Sequence, residues 1–207
     1  MYSPAIQKLI DLFCKFPTVG PRTATRFVFY LLQLPKSETD ELVRSINLLK
    51  ALIRPCPFCQ NFYEQDGSLC PLCSDRSRSN STLCIVEKET DLESIEKTRK
   101  YKGRYFVLGG TVSRLHKEEM NKLKIAELQE RIANPSKFGL DDAKLEEIIL
   151  AFNPTTEGEA TMLYLERLLK PLPVKISRLA VGLPIGAELE YADEETLSSA
   201  LIARKTQ

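Results

Sequence analysis

The chain is 207 residues long, 43% hydrophobic and 28% charged, and its 29 Lys and Arg nearly cancel 28 Asp and Glu. This is the composition of a soluble globular protein with room for one large domain or two to three small ones, and no apolar run approaches the roughly 20 residues of a membrane span. The balance hides a mild asymmetry of ten basic against seven acidic residues up to position 82 and nineteen against twenty-one after it, so any polyanion is expected on the N-terminal side.

Ile6, Leu9, Ile10 and Phe13 recur at helical spacing, as do Ala24, Phe27, Val28 and Leu31, which predicts two short helices. Between them, Phe16-Pro17-Thr18-Val19-Gly20-Pro21 reads as a tight hairpin. Pro17 stops the first helix, Gly20 permits the positive φ of the turn, and Pro21 suits the first position of the second helix. In a helix-hairpin-helix the free amides around Gly20 and at the start of the second helix, including that of Thr23, face outward and can hold a phosphate oxygen. Arg22 and Arg26, four apart, lie on one face beside them. Contacts of this kind carry affinity for DNA without reading its base sequence. An ordinary helical hairpin with solvated arginines has the same pattern, so the motif alone leaves both readings open. A third helix follows, with Ser37 and Thr39 as candidate caps and Leu42, Ile46, Leu49 and Ile53 on one face.

Cys56-Pro-Phe-Cys59 and Cys70-Pro-Leu-Cys73 stand ten residues apart. In a CxxC turn both sulfurs can point at one tetrahedral centre, and two such turns facing each other supply four thiolates about 2.3 Å from a Zn²⁺. The alternatives are two disulfides or four unrelated thiols. Nothing at the N-terminus resembles a signal peptide, so a reducing cytoplasm is expected and the metal reading is preferred. A four-sulfur site is closed, and zinc in it builds structure and activates no water. Gln60 to Leu69, with Asp66-Gly67 as a turn signal, has the length of a short hairpin, and the metal is expected to stand in for a core this segment is too small to build. Cys14 and Cys84 sit in apolar runs and read as core residues.

Ser74 to Ser81 alternates serine with Arg76 and Arg78 and reads as an exposed linker. Beyond it strands at Thr82–Val86, Tyr105–Leu108, Ile148–Phe152 and Val174–Leu179 alternate with helices at Asp91–Thr98, Glu118–Ile132 and Glu157–Leu169. Alternation of this kind gives a mostly parallel sheet covered by helices, with function at the carboxyl ends of its strands. Those ends hold Glu87 and the run Asn153-Pro154-Thr155-Thr156-Glu157-Gly158-Glu159. An acid after the first strand and a polar cluster after the third is an arrangement used to hold Mg²⁺, yet Asn and Thr stand where a hard cation needs carboxylates. Glu157 and Glu159 also sit where acids stabilise a helix N-terminus, the preferred reading. His116, the only histidine, reads as a solvated loop residue.

In these motifs the whole chain resembles the RecR family of bacterial recombination mediators. FPTVGPRTATRFVFYLL is similar to its helix-hairpin-helix, the four cysteines to its zinc finger, and LCIVEKETDLESIEKT to the opening of its Toprim domain. LGGTVS, ILAFNPTTEGEAT, YLERLLKPL and GLPIGAELEYADEETL continue the match almost to the last residue. The resemblance implies an α+β multidomain chain: a helix-hairpin-helix over 1–53, a small four-cysteine zinc finger over 54–77, a Toprim domain with a mostly parallel sheet over 78–178, and a C-terminal strand and helix segment over 179–207 that makes subunit contacts. It implies a ring-shaped homotetramer without catalytic activity that grips double- and single-stranded DNA and acts with RecO, and in some bacteria RecF, to load RecA. By position it implicates Gly20, Arg22, Thr23 and Arg26 in DNA binding, Cys56, Cys59, Cys70 and Cys73 in holding one Zn²⁺, and Glu87, Glu157 and Glu159 in binding RecO. The sequence departs from the family's pattern at Ser113-Arg114-Leu115-His116-Lys117-Glu118 and in an extra loop from Asn134 to Ala143.

Overall fold

The computed structural model describes residues 2–64, 67–112, 123–138 and 145–204, and divides into two compact units, Met1–Ile53 and Arg54–Gln207. In the first, helices α1 (Pro4–Phe13) and α2 (Pro21–Gln33) close on Ile10, Ala24 and Val28, with Ile6, Leu9, Phe13 and Val19 packed around them. Helix α1 ends at Phe13, ahead of Pro17, whose place is in the turn. That turn is closed by the Val19 amide donating to the Phe16 carbonyl at 3.2 Å, with Pro17 pre-setting the chain.

The positive φ falls on Thr18 (64°), while Gly20 is extended at −86° and 171°. The expectation for Gly20 is therefore corrected: the bend is made one residue after Pro17, and Gly20 serves as the N-cap of α2. A β-branched residue in the left-handed region is strained by about 1–3 kcal/mol. Replacing Thr18 with Gly is expected to stabilise the protein by about 1 kcal/mol, after the extra freedom glycine gives the unfolded chain. A urea titration checks this, and an unchanged or lowered midpoint refutes it.

Helix α3 (Lys36–Leu52) is capped by Pro35, with no side-chain cap. Thr39 instead returns its hydroxyl to the Pro35 carbonyl at 3.1 Å, so neither Ser37 nor Thr39 caps the helix. No residue of α3 is buried; Leu42, Val43 and Ile46 line an open apolar groove of about 510 Å³ with Leu9, Phe13 and Leu31 of the same unit.

The second unit begins with the two cysteine turns. Strands β1 (Ile53–Pro55) and β2 (Phe62–Glu64) pair with each other, so the chain between the cysteine pairs returns to the residues before Cys56, where a hairpin within Gln60–Leu69 was expected. Asp66 lies outside the described residues. Helix α4 (Pro71–Ser74) is a single turn carrying Cys73.

Then β3 (Thr82–Val86), α5 (Glu89–Lys97), β4 (Arg104–Val107), α6 (Ile125–Ala133), β5 (Glu147–Ala151), α7 (Thr156–Leu169) and β6 (Lys175–Arg178) build a four-stranded sheet in the order β4-β3-β5-β6. Every pairing in it is parallel. Strands β3, β4 and β5 are largely apolar on both faces, as a sheet covered on both sides requires, while the edge strand β6, Lys-Ile-Ser-Arg, is half exposed. Leu83, Ile85, Phe106, Ile148 and Leu150 point to Leu128 of α6 and Met162, Leu165 and Leu169 of α7, whereas Cys84, Val86, Tyr105, Val107 and Ala151 point to Leu92 of α5. Cys84 is a core residue and Cys14 is half-buried.

Of the helix expected over Glu118–Ile132, the part from Ile125 is present; its start, with Ser113–Glu118 and His116, lies outside the described residues, as do 139–143 of the extra loop. Pro135–Phe138, directly after α6, forms a 3₁₀ turn. Beyond β6 the chain forms another 3₁₀ turn at Leu189–Tyr191 and helix α8 (Glu194–Ile202), capped by Asp193 accepting from the Thr196 amide at 2.8 Å. No strand forms among the described residues of 179–204, where Gly182, Pro184 and Gly186 interrupt the chain. Ile185, Leu189, Tyr191, Leu201 and Ile202 of this segment are exposed.

Candidate metal centre and nucleic-acid interface

Cys56, Cys59, Cys70 and Cys73 are all buried, and their sulfurs lie within 4.8 Å of one another. Tetrahedral ligands 2.3 Å from a zinc ion sit about 3.8 Å apart, so the donor set fits such an ion without rearrangement of the chain. None of the cysteines is in a disulfide. The turns are built locally: the Gln60 amide donates to the Cys56 carbonyl at 2.9 Å with Gln60 at a φ of 63°, and the Ser74 amide donates to the Cys70 carbonyl at 2.9 Å. The thiols' mutual hydrogen bonds hold Cys56 and Cys70 below the ordinary range and push Cys59 and Cys73 above it. Four sulfurs this close cannot all lose their protons without a cation among them. Phe58 and Tyr63 are buried against the cysteines, with Leu69, Leu72 and Phe138 at the margin, so the module has a small apolar core besides its thiols.

This module is seated on the edge of the parallel sheet through its backbone carbonyls. The Val107 amide, on the outer edge of β4, donates to the Cys59 carbonyl at 2.8 Å. Arg104 Nη1 donates to the carbonyls of Leu72 and Cys73 at 2.9 and 3.0 Å, Lys124 Nζ to that of Gln60 at 3.3 Å, and Arg131 Nη2 to that of Pro57. The supposed linker is part of the same joint. Arg78 is buried, paired with Glu96 and donating to the Gly103 carbonyl at 3.2 Å, which corrects its reading as a solvated residue. The reason is that its hydrogen-bonding partners Glu96 and Gly103 are brought up by α5 and the approach to β4, and its sequence neighbour Asp75 adds a carboxylate 3.8 Å from Nε. Arg78, Arg104, Lys124 and Arg131 were missed from sequence. Only Arg131 leaves a trace there, as a charge on the apolar stripe of Ile125, Leu128 and Ile132.

In the first unit, Gly20, Arg22, Thr23 and Arg26 are all exposed. No side chain caps α2, and the first amide to find a helical partner is that of Ala24, which donates to the Gly20 carbonyl at 2.9 Å. The Arg22 and Thr23 amides of the first turn have no carbonyl ahead of them, as at any helix start. A Cβ built on Gly20 meets nothing within 4 Å.

At the strand ends, Glu87 and Asn153 come together: the Asn153 side-chain amide donates to Glu87 Oε2 at 3.1 Å. Glu157 and Glu159 occupy the first turn of α7, whose N-cap Thr155 accepts from the Gly158 amide at 3.1 Å. Glu159 is engaged elsewhere, paired with Arg178 of β6 at 2.9 Å, and Arg178 also holds Glu166 at 2.7 Å. Among the described residues, the cysteine set is the one group of three or more acidic, His or Cys side chains gathered closely enough to share a metal ion; the three glutamates are not.

Residues 6–49 match the family described as RecR, helix-hairpin-helix, residues 81–180 the Toprim domain, and residues 182–205 RecR, C-terminal. The chain is 48% identical over 204 residues, 99% of its length and 97% of the relative's, to the recombination protein RecR of Bifidobacterium animalis subsp. lactis (strain AD011). Over the same shares it is 45% identical to that of Bifidobacterium adolescentis and 44% to that of Bifidobacterium longum subsp. infantis. With family matches at both ends, a Toprim sheet between them and identity sustained over the full length, the chain belongs to the RecR family of recombination proteins.

Proposed function

We propose that this chain is a non-catalytic clamp on DNA in recombinational repair, helping RecO and RecF load RecA onto single-stranded DNA at gaps. The observation that carries this reading is the start of α2. Its first-turn amides are uncapped, Arg22 and Arg26 stand exposed beside them, and Gly20 leaves open space where a phosphate must approach the backbone. Family membership supplies the recombination context. In the absence of an acidic cluster at the strand ends among the described residues, Glu87 held by Asn153 serves better as a partner-binding group for RecO, together with Glu157 and Glu159, than as a metal ligand. Zn²⁺ in the cysteine site is structural, and the four functional segments follow the boundaries 1–53, 54–77, 78–178 and 179–207. No described helix is long and apolar enough to cross a membrane, and a cytoplasmic location suits the free thiols.

Few phosphate contacts per chain give weak, steeply salt-dependent binding, and assembly into a ring raises the effective concentration of each further contact. Two features support self-assembly into the homotetramer: the open apolar groove beside α3 and the exposed Ile185, Leu189 and Tyr191 of the C-terminal segment.

Replacing Arg22 and Arg26 together with Ala is expected to weaken duplex binding about thirtyfold at moderate salt and to flatten its salt dependence, since each lost phosphate contact removes about one unit of slope. The assembly state, followed by light scattering on the same samples, is expected to stay unchanged. Undiminished affinity would move the DNA site away from the hairpin.

A further inference from the structure

Arg131 is 3% exposed and has no carboxylate partner among the described residues. Its neighbour Glu130 is taken by Lys137. The guanidinium lies 4.3 Å from the ring centroids of Phe58 and Phe138 and 5.4 Å from that of Phe106, and donates once, to the Pro57 carbonyl. Its Nε and Nη1 are buried without a hydrogen-bond acceptor. A buried cation left in this state is costly unless an opposite charge stands close by, and three aromatic faces offset only part of that cost.

The nearby opposite charge is the cysteine set. The Pro57 carbonyl it bonds and the Phe58 ring it lies over both belong to the turn between Cys56 and Cys59, which puts the guanidinium beside that set. Four thiolates around a divalent ion leave two net negative charges, whereas four thiols without the ion leave none. The cation that α6 brings to this spot is thus balanced when the site is loaded and stranded when it is empty. Its hydrogen bond to Pro57, inside the first Cys-Pro-Phe-Cys turn, fixes it to the module it balances.

We propose that Arg131 is the built-in counterion of the metal tetrathiolate, so that metal loading and the seating of the cysteine module on the Toprim sheet stabilise each other. The proposal rests on the zinc reading of the cysteine site. It makes Arg131 a positioning residue reached across 74 positions of sequence, one whose role is electrostatic and whose aromatic contacts are secondary.

The test uses the full-length protein. Metal analysis of the wild type comes first, and lack of stoichiometric zinc defeats the zinc reading itself. With zinc present, competition against a chromogenic chelator is expected to show Arg131→Met holding the ion about tenfold more weakly, the scale of lost outer partners at metal sites. Arg131→Lys, which keeps the charge but not the planar fork, is expected to stay within about threefold of wild type. Wild-type affinity in Arg131→Met, or equal weakness in both variants, overturns the proposal. An independent measurement needs no variant: labelling of wild-type Arg131 by an arginine-specific dicarbonyl, read by mass spectrometry, is expected to be slow with zinc bound and fast once zinc is removed. Equal labelling in the two states also overturns it.

Discussion

Removing the metal with a chelator, or changing Cys70 to Ser, is expected to unfold the cysteine module while the centre of the parallel sheet stays folded. Among the described residues, the module's buried cluster is the four cysteines with Phe58 and Tyr63, too few to hold a chain segment ordered without a cross-link. Structural zinc sites in small modules contribute on the order of 10 kcal/mol, about two to three times what two buried aromatic side chains supply. The damage has a defined edge. Val107 on β4 donates to the Cys59 carbonyl, so its amide loses its partner, whereas β3 and β5 are hydrogen-bonded within the sheet on both sides. Hydrogen exchange is expected to accelerate at Val107 and through the cysteine module and to leave Ile85 and Leu150 protected. A thiol titration gives the same answer chemically, with the four ligands becoming reactive and Cys84, whose thiol burial pushes up to about 12, staying silent. Unchanged exchange and unchanged folding in Cys70→Ser would show that the thiols are not a structural cross-link.

Replacing Gly158 with Ala is expected to destabilise the protein by about 3 kcal/mol or more, the scale of overpacking against groups that cannot move aside. A Cβ there would stand 2.0 Å from the Asn153 carbonyl oxygen and 3.1 Å from its carbon, both backbone atoms, with Thr155 Oγ1 at 3.3 Å. The same change reaches the strand-end site, because the Asn153 side chain holds Glu87. Gly20→Ala is the control. Gly20 lies at a negative φ with open space around its Cβ position, so this change is expected to cost the fold no more than the roughly 1 kcal/mol of a weaker N-cap. Urea titrations of the two variants decide the matter, and a Gly158→Ala protein as stable as wild type would mean that the loop before α7 yields freely.

The contrast between the two glycines also shows where sequence reasoning reached and where it stopped. Glycine in the Gly20-Pro21 pair reads as the residue of positive φ, yet the positive φ falls on Thr18, directly after Pro17. Which of the adjacent residues takes that strain depends on how α1 and α2 close over Ile10, Ala24 and Val28, a matter of packing rather than of turn composition. Gly158 carries no turn signal at all, and its necessity appears once the Asn153 carbonyl is folded back over the first turn of α7.

Local patterns determined most of the architecture by themselves. Helical and strand periods, the two CxxC turns and the βα alternation are repeats over a few residues, and local backbone geometry reads them directly; hence the strand positions, the parallel sheet and the four gathered sulfurs all appear where the spacing predicts them. The tertiary structure alone decided how the pieces are joined. Strand β2 pairs back with β1, Arg104 reaches carbonyls some 30 positions earlier and Arg131 one 74 positions earlier, and Glu159 turns to Arg178 and away from Glu87. A buried cation or a sheet edge takes whatever acceptor the folded chain presents, and that acceptor is distant in sequence, where neither period nor spacing carries any record of it.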